Sequence, residues 1–453
     1  MSRVLLIGVG GLPHLPLDHV DFPRLRLWQF TRALLQAGHT LSLVCGLSAE
    51  SWKAWQQQQP SPSRWTRLPF EGTSLEVQYL PLEQLSRADL PARWVEETHP
   101  SVAVSAGPFA PTRAAARLPR PLPVFIDLPG DMMAEAQLRA RASLQTTHVL
   151  HAREVLGAAL LRGDAFSVIS QRQQHALWGQ LGVLGRLGPS QLEPPPVWVT
   201  PVGVEPLWEH WAPARARVLP PRVIWPAALN TWSDGETLFQ VGEQLLSRHP
   251  SVELVVTGGP IAGHEEHAWK RLQQAVSGSS HAHRWRLTGW LPAPQAADEV
   301  RAATVGLSLD VLGLEPLLGS RTRLLYGLAL ELPWVLTPGS ELAQALVEAG
   351  WATACPVGEV EGITDALRAA LQSPARPESS RQALLTQFSG THTTAGLLQF
   401  VASPQLYPAG VEVEAGLQTR LATLERDLAA VHHSLTWRVL GGMWSKLRRV
   451  KKR

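Results

Sequence analysis

The sequence predicts an α/β protein with two doubly wound parallel-sheet domains in tandem. Two observations carry that expectation. Short aliphatic runs of strand length alternate with longer amphipathic runs of helix length, and this alternation occurs twice, either side of a proline-rich stretch around 189–221. Strands that alternate with helices of roughly 10–15 residues imply parallel sheets covered on both faces. Length and composition agree. At roughly 100–200 residues per domain, 453 residues make two or three domains. With 45% hydrophobic and 17% charged residues, the chain is too apolar for disorder. No apolar run reaches the roughly 18 residues that would read as a bilayer span.

The elements follow in order. The opening MSRVLLIGVGGLPHLP reads as a buried strand running into a glycine loop, without the small-residue cleavage site of a signal peptide, so a cytoplasmic chain is expected. After the strand VLLIGVG (4–10), a helix over Arg24–Ala37 closes at Gly38, and LSLVC (41–45) is the second strand. VAVSAG (102–107), VFIDLPG (124–130), FSVIS (166–170) and VWVTPVG (197–203) complete the first domain, 1–200. The second domain, 201–403, repeats the pattern with RVIWPA (222–227), a helix over 235–248, VELVVTGG (252–259), WRLTGW (285–290), VGLSLDV (305–311), a helix over 321–331 and PWVLTPG (333–339). Cys45 and Cys355 each end an apolar segment and read as buried thiols, which excludes a disulfide scaffold and a Cys-rich zinc site.

The third unit, 404–453, is a spacer (404–415) followed by a helix. Leu417, Leu421, Leu424, Leu428, Val431 and Leu435 recur at alternating steps of four and three, a short heptad seam that offers 417–435 to a helix partner. Trp437, Leu440, Trp444 and Leu447 continue one apolar face among cations. Residues 438–453 hold seven of the 41 basic residues and no acid, so the rest of the chain sets 34 bases against 38 acids, a net charge of −4. The isoelectric point of about 9.1 therefore describes a tail, and a nucleic-acid partner is not expected. Tryptophan on one side of a helix with lysine and arginine around it suits an anionic membrane surface, at about 1 kcal/mol per cation.

Gly8, Gly10 and Gly11 follow the first strand, where a doubly wound fold binds phosphate or sugar. A dinucleotide fingerprint is excluded, because Pro13 stands where the third glycine belongs and the second strand ends Cys45-Gly46 without an acid. No Walker-type Gly-Lys-Ser/Thr occurs. His264 and His267 lack zincin spacing, and no metal is assigned to them or to His281, His283, His432 and His433. No Asp-x-Asp triplet is present, so any bound diphosphate is expected to be neutralised by arginine and helix dipoles without a metal.

The informative stretch is DVLGLEPLLGSRTRLLYGLALELPWVLTPG (310–339). A strand ends near Asp310, Glu315 sits in the loop, and Gly319-Ser320 opens a helix carrying Arg321 and Arg323 in its first turn. Cations there oppose the helix dipole unless an anion occupies the helix N-terminus. Glu315 is then placed to accept hydrogen bonds from a ribose or sugar hydroxyl.

On these residues the chain resembles the GT-B nucleotide-sugar glycosyltransferases, near glycosyltransferase family 4. RLRLWQFTRALLQAGHTLSLVC (24–45) is similar to their first helix and second strand. HPSVELVVTGG (249–259), WRLTGWLP (285–292) and GLALELPWVLTPGSELAQAL (327–346) are similar to segments of their carboxy-terminal domain. IDLPGDMMAE (126–135), GDAFSVISQRQ (163–173) and an acid followed by Arg-x-Arg resemble a bacterial branch of that family. The resemblance covers about residues 1–400. Family 4 usually has two glutamates eight positions apart in this loop and helix; here Glu315 is the first, and Arg323 stands at the second. The family's Arg/Lys pair after the first carboxy-terminal strand is missing, and PAALNTWSDGETL (226–238) offers only Asn230, Trp232 and Asp234.

The resemblance implies two Rossmann-like domains around a cleft, the acceptor on the amino-terminal one and the nucleotide-sugar donor on the carboxy-terminal one. It implies a hexosyltransferase-like enzyme with no metal cofactor, acting in cell-surface polysaccharide or glycolipid assembly on a lipid-linked or saccharide acceptor. The tail HSLTWRVLGGMWSKLRR resembles those of bacterial enzymes of that kind, which suggests a peripheral site on the inner face of the membrane through 436–453. Arg321 and Arg323 are then expected to neutralise the leaving diphosphate, with Glu315, Gly319 and Ser320 at the donor and Gly10 and Gly11 allowing close backbone approach. Asp127, ending its strand, is expected to face the cleft and to activate or orient the acceptor beside Glu135. The departures from the family pattern leave two alternatives open: a degenerate GT-B protein that binds without turnover, or a sugar-nucleotide epimerase on the same fold.

Overall fold

The computed structural model describes residues 1–13, 21–58, 63–187, 195–204, 220–261, 266–372, 377–407, 423–428 and 430. In the first half, β1 (Arg3–Val9), α1 (Phe22–Gln36), β2 (Thr40–Leu47), α2 (Ala49–Gln58), β3 (Thr66–Phe70), β4 (Thr73–Pro81), α3 (Leu90–Thr98), β5 (Val102–Ser105), α4 (Ala110–Ala115), β6 (Val124–Asp127), α5 (Met132–Ser143), α6 (Thr147–Arg162), β7 (Ala165–Val168), α7 (Gln171–Val183) and β8 (Val197–Val199) follow one another. They form a sheet of order β3-β4-β2-β1-β5-β6-β7-β8. All neighbours are parallel except β3 and β4, an antiparallel hairpin whose two-residue turn puts Glu71 and Gly72 at positive φ. The central strand RVLLIGV is buried from Val4 to Gly8, as expected of a parallel strand covered on both faces. The Asp21 side chain caps α1, and Gly38 at φ 81° lets the chain turn into β2.

The second half contains β9 (Arg222–Pro226), α8 (Gly235–Arg248), β10 (Glu253–Thr257), α9 (His267–Ser277), β11 (Trp285–Gly289), α10 (Ala293–Ala302), β12 (Val305–Ser308), α11 (Leu314–Leu318), α12 (Thr322–Ala329), β13 (Trp334–Leu336), α13 (Glu341–Glu348), β14 (Ala352–Ala354) and α14 (Val360–Gln372). Its sheet, β11-β10-β9-β12-β13-β14, is parallel throughout. Every strand read from the sequence is present in order. The hairpin β3–β4 and the three-residue β14 are additions that the aliphatic pattern did not mark.

The chain crosses between the sheets twice. It leaves the first after β8 through Thr200–Val204. It returns through α15 (Glu378–Gln387), α16 (Gly390–Thr393) and α17 (Ala395–Ala402). The last of these packs on the first sheet, where Phe400 sits 5.7 Å from Phe125, which stacks 5.9 Å from Trp198. Most of the proline-rich linker lies outside the described residues. So do most of the 417–435 seam and all of 436–453; residues 423–428 are helical and exposed. Among the described residues, no helix is long and apolar enough to cross a membrane.

Candidate active site

The carboxyl ends of strands from both sheets meet around a cavity of about 520 Å³. Loops after β5, β6 and β7 supply one wall, and loops after β9, β10 and β11 with the start of α12 supply the other. In each sheet the first strand stands between neighbours reached in opposite directions, β1 between β2 and β5 and β9 between β10 and β12. This is the switch-point crevice where open α/β sheets bind ligands.

The second wall carries a buried charge cluster. Arg321, at the cap of α12, donates from Nε to both carboxylate oxygens of Asp310 at 3.0 Å. Its Nη1 and Nη2 grip Glu315 at 3.0 and 2.7 Å. Arg323 donates from Nε to Ser308 Oγ at 3.0 Å and from Nη2 to Asp310 at 3.3 Å. The two guanidiniums lie over Trp232 and Trp225, at 5.6 and 4.9 Å from the ring centroids. Burial alone would lower the pKa of Arg321, but Asp310 and Glu315 outweigh it and hold the cation above its ordinary value. Burial wins at Arg323, pushing it down to about 10, which still leaves it charged at neutral pH. Burial likewise raises Glu315 against the pull of Arg321, and Glu135 across the cavity adds to that rise. A Cβ on Gly319 would lie 2.8 Å from Glu315 Oε1 and 3.2 Å from Arg321 Nη1, so glycine there leaves room for the pair.

The structure therefore brings Glu315, Gly319, Ser320, Arg321, Arg323 and Glu135 to one cavity. It alters the expected role of the arginines: they are balanced by two carboxylates and are not a bare cationic site. Nη1 of Arg323 is the guanidinium nitrogen left without a hydrogen-bond partner among the described residues. Asp310 was read only as a strand end, and it is the group that ties both arginines together. The available signal was an acid at the carboxyl end of a parallel strand.

Two expectations are corrected. Asp127 does not face the cleft. Its carboxylate is fully buried and accepts from Arg26 Nε at 3.0 Å, Ser167 Oγ at 2.7 Å and the Gly107 amide at 3.0 Å, which leaves no route for a substrate proton. Burial raises its pKa and lowers that of Arg26 despite their attraction. Asp127 is a positioning residue. Gly10 and Gly11 have positive φ, but their amides are already spent: Gly10 donates to Gly46 O and Gly11 to Cys45 Sγ, and neither residue lines the cavity. The Cys45 thiol, pushed by burial to about 12, is inert packing.

No protein-family model and no curated protein matches the chain by sequence. Solved structures match it by shape. The sucrose-phosphate synthase of Thermosynechococcus elongatus superposes over 95% of this chain and 100% of its own, at 14% identity and a TM-score of 0.57. An E. coli structure described as trehalose-6-phosphate bound with UDP-2-fluoro glucose covers 89% of this chain and 100% of its own, at 12% identity and a TM-score of 0.62. The α,α-trehalose 6-phosphate synthase of Burkholderia multivorans covers 92% and 100%, at 14% identity and a TM-score of 0.59. The fold is GT-B. In GT-B terms, the cavity is the interdomain cleft, with Glu135 on its amino-terminal wall and Glu315, Arg321 and Arg323, tied together by Asp310, on its carboxy-terminal wall.

Proposed function

We propose that this GT-B chain is a glycosyltransferase that moves a sugar from a nucleotide-sugar donor to a hydroxyl acceptor. The observation that carries the reading is the cluster Asp310–Arg321–Glu315–Arg323 at the second sheet's switch point, facing the carboxylate wall of the first domain across a cavity of about 520 Å³. A departing nucleoside diphosphate carries about two negative charges, and fixed cations placed where that charge develops lower the barrier to departure. Arg323 Nη1, already oriented by Ser308 and Asp310, meets the diphosphate. Arg321 is clamped too firmly to move and sets the local field. Glu315 presents its carboxylate to a donor hydroxyl, and Glu135 orients the acceptor. We propose that the reaction needs no divalent metal, Arg323 Nη1 being the positive group that meets the diphosphate.

Binding of a panel of nucleoside diphosphates and their sugars, with EDTA present, tests this. We expect one diphosphate to bind wild type and to lose at least tenfold in affinity in Arg323→Ala, whereas Arg323→Lys keeps part of it. No nucleotide binding by the folded protein would reject the reading. The charge balance of the cluster favours one alternative, a GT-B protein that binds without turnover, and sugar transfer by the purified protein would eliminate it. Incubating the donor without acceptor and finding an isomer would instead indicate an epimerase.

We further propose that the acceptor is lipid-linked and that the chain works on an anionic membrane surface in polysaccharide or glycolipid assembly. The seven cations and no acid of 438–453, with Trp437 and Trp444, support this. Deleting 436–453 is expected to abolish sedimentation with vesicles containing anionic lipid while nucleotide binding is retained. Unchanged sedimentation would reject it.

A further inference from the structure

The amino-terminal wall of the cleft identifies the class of acceptor. Resting on the transferase reading above, we propose that Phe109 is the stacking platform of the acceptor subsite and that the ring it receives is an uncharged pyranose, not a sugar phosphate. Phe109 lines the cavity beside Phe22 and Pro108. Its backbone sits at φ 54° and ψ −88°, a conformation that L residues with side chains rarely adopt. Such strain persists only where the surroundings over-determine it, and it gathers at ligand clamps.

The surroundings here do so. The Gly107 amide is drawn to the buried Asp127 carboxylate at 3.0 Å, and Thr112 Oγ1 donates to Gly107 O at 3.2 Å. The Phe109 carbonyl accepts from the Arg113 amide at 2.8 Å. The Phe109 ring lies parallel to that of His151, at 4° with centroids 6.3 Å apart. Asp127 thus serves the cleft indirectly, by holding the loop that presents the ring. An aromatic face held rigidly in a cleft with carboxylates on the same wall matches the apolar C–H face of a pyranose, whose hydroxyls then point toward those carboxylates.

Charge excludes a phosphate on that sugar. The amino-terminal wall carries Asp21, Asp131 and Glu135 against Arg139 alone among its described residues. Arg24 is taken by Gly10 O and Ser51 Oγ, and Arg26 by Asp127, so neither can reach an anion in the cleft. A wall with three carboxylates and one cation repels a sugar phosphate and accepts a neutral ring.

Saturation-transfer NMR on the full chain, saturated with whichever nucleoside diphosphate it binds, tests the proposal. The probes are methyl glucoside, galactoside and mannoside against glucose 6-phosphate. At least one methyl glycoside is expected to receive saturation on one ring face, with glucose 6-phosphate at least tenfold weaker. Phe109→Ala is expected to abolish the signal and Phe109→Tyr to keep it. Glu135→Arg is expected to shift preference toward glucose 6-phosphate. Preferred binding of the phosphate, an undiminished signal in Phe109→Ala, or no glycoside bound while the diphosphate is bound would each overturn the proposal. Failure of wild type to bind any diphosphate would overturn the transferase reading instead, so the two failures are distinct.

Discussion

At the scale of single residues, burial decides which charges can do chemistry. Asp127 and Arg26 are both fully buried, and the pair is closed by Ser167, the Gly107 amide, and the Thr200 and Pro201 carbonyls. Breaking such a pair by removing one partner leaves an uncompensated buried charge, at a cost of about 3–5 kcal/mol, whereas replacing both by apolar groups is often near neutral. Asp127→Asn should therefore lose several kcal/mol in urea unfolding, and Arg26→Met with Asp127→Leu should recover most of it. An Asp127→Asn variant with wild-type stability and intact glycoside binding but no sugar transfer would return Asp127 to a catalytic role. Arg321 follows the same rule, since its removal would leave Asp310 and Glu315 facing each other in a buried site. Arg323, with one guanidinium nitrogen unsatisfied, is the better position to probe.

At the scale of elements, the two passages between the domains touch, and at their closest approach, Gly203 against Gly390, neither segment has a side chain. The Val204 amide donates to Phe388 O at 2.6 Å, and Val204 bridges Ser389. A Cβ on Gly203 would meet Gly390 Cα at 2.7 Å and its nitrogen at 2.9 Å, both backbone atoms with no rotamer to yield. A Cβ on Gly390 would meet nothing within 4 Å. Gly203→Ala is expected to cost about 1–3 kcal/mol through overpacking, and Gly390→Ala to be neutral or slightly stabilising. Equal effects of the two substitutions on the unfolding midpoint would contradict this crossing.

At the scale of the whole molecule, the domains are held by a latch beside the candidate site. The first two amides of α7, Gln171 and Arg172, donate to the Glu341 carboxylate at 3.0 and 2.8 Å, so an acid of the second domain caps a helix of the first. The Arg172 guanidinium reaches Gly339 O at 2.9 Å and Gln344 at 2.8 Å, and Ser170 Oγ donates to Leu318 O at 2.8 Å, one residue before Gly319. Glu341→Ala should raise the radius of gyration in small-angle scattering and weaken nucleotide binding several-fold, because the α11–α12 turn loses its backing. An unchanged radius would show that the latch does not hold the cleft closed. The same scale explains what was legible beforehand. Aliphatic runs such as VLLIGV and RVIWP mark buried parallel strands by composition alone. TRLPF and TSLEVQYLP mix polar with apolar residues, as a half-exposed edge hairpin requires, and so escaped notice.

What the sequence by itself determined is the order and type of the layers, the two-domain plan, and the stretch 310–339 as the place for chemistry. These follow from local periodicity and from residue types close together along the chain. What only the tertiary structure decided is which charged groups are free. Asp127 turns inward to Arg26, 101 positions away, and Arg321 closes between Asp310 and Glu315. The latch and the return of α17 to the first sheet likewise join residues far apart in the chain. The physical reason is that a charge in a low-dielectric interior must find its partner wherever packing brings one, and that depends on how layers stack rather than on spacing along the chain.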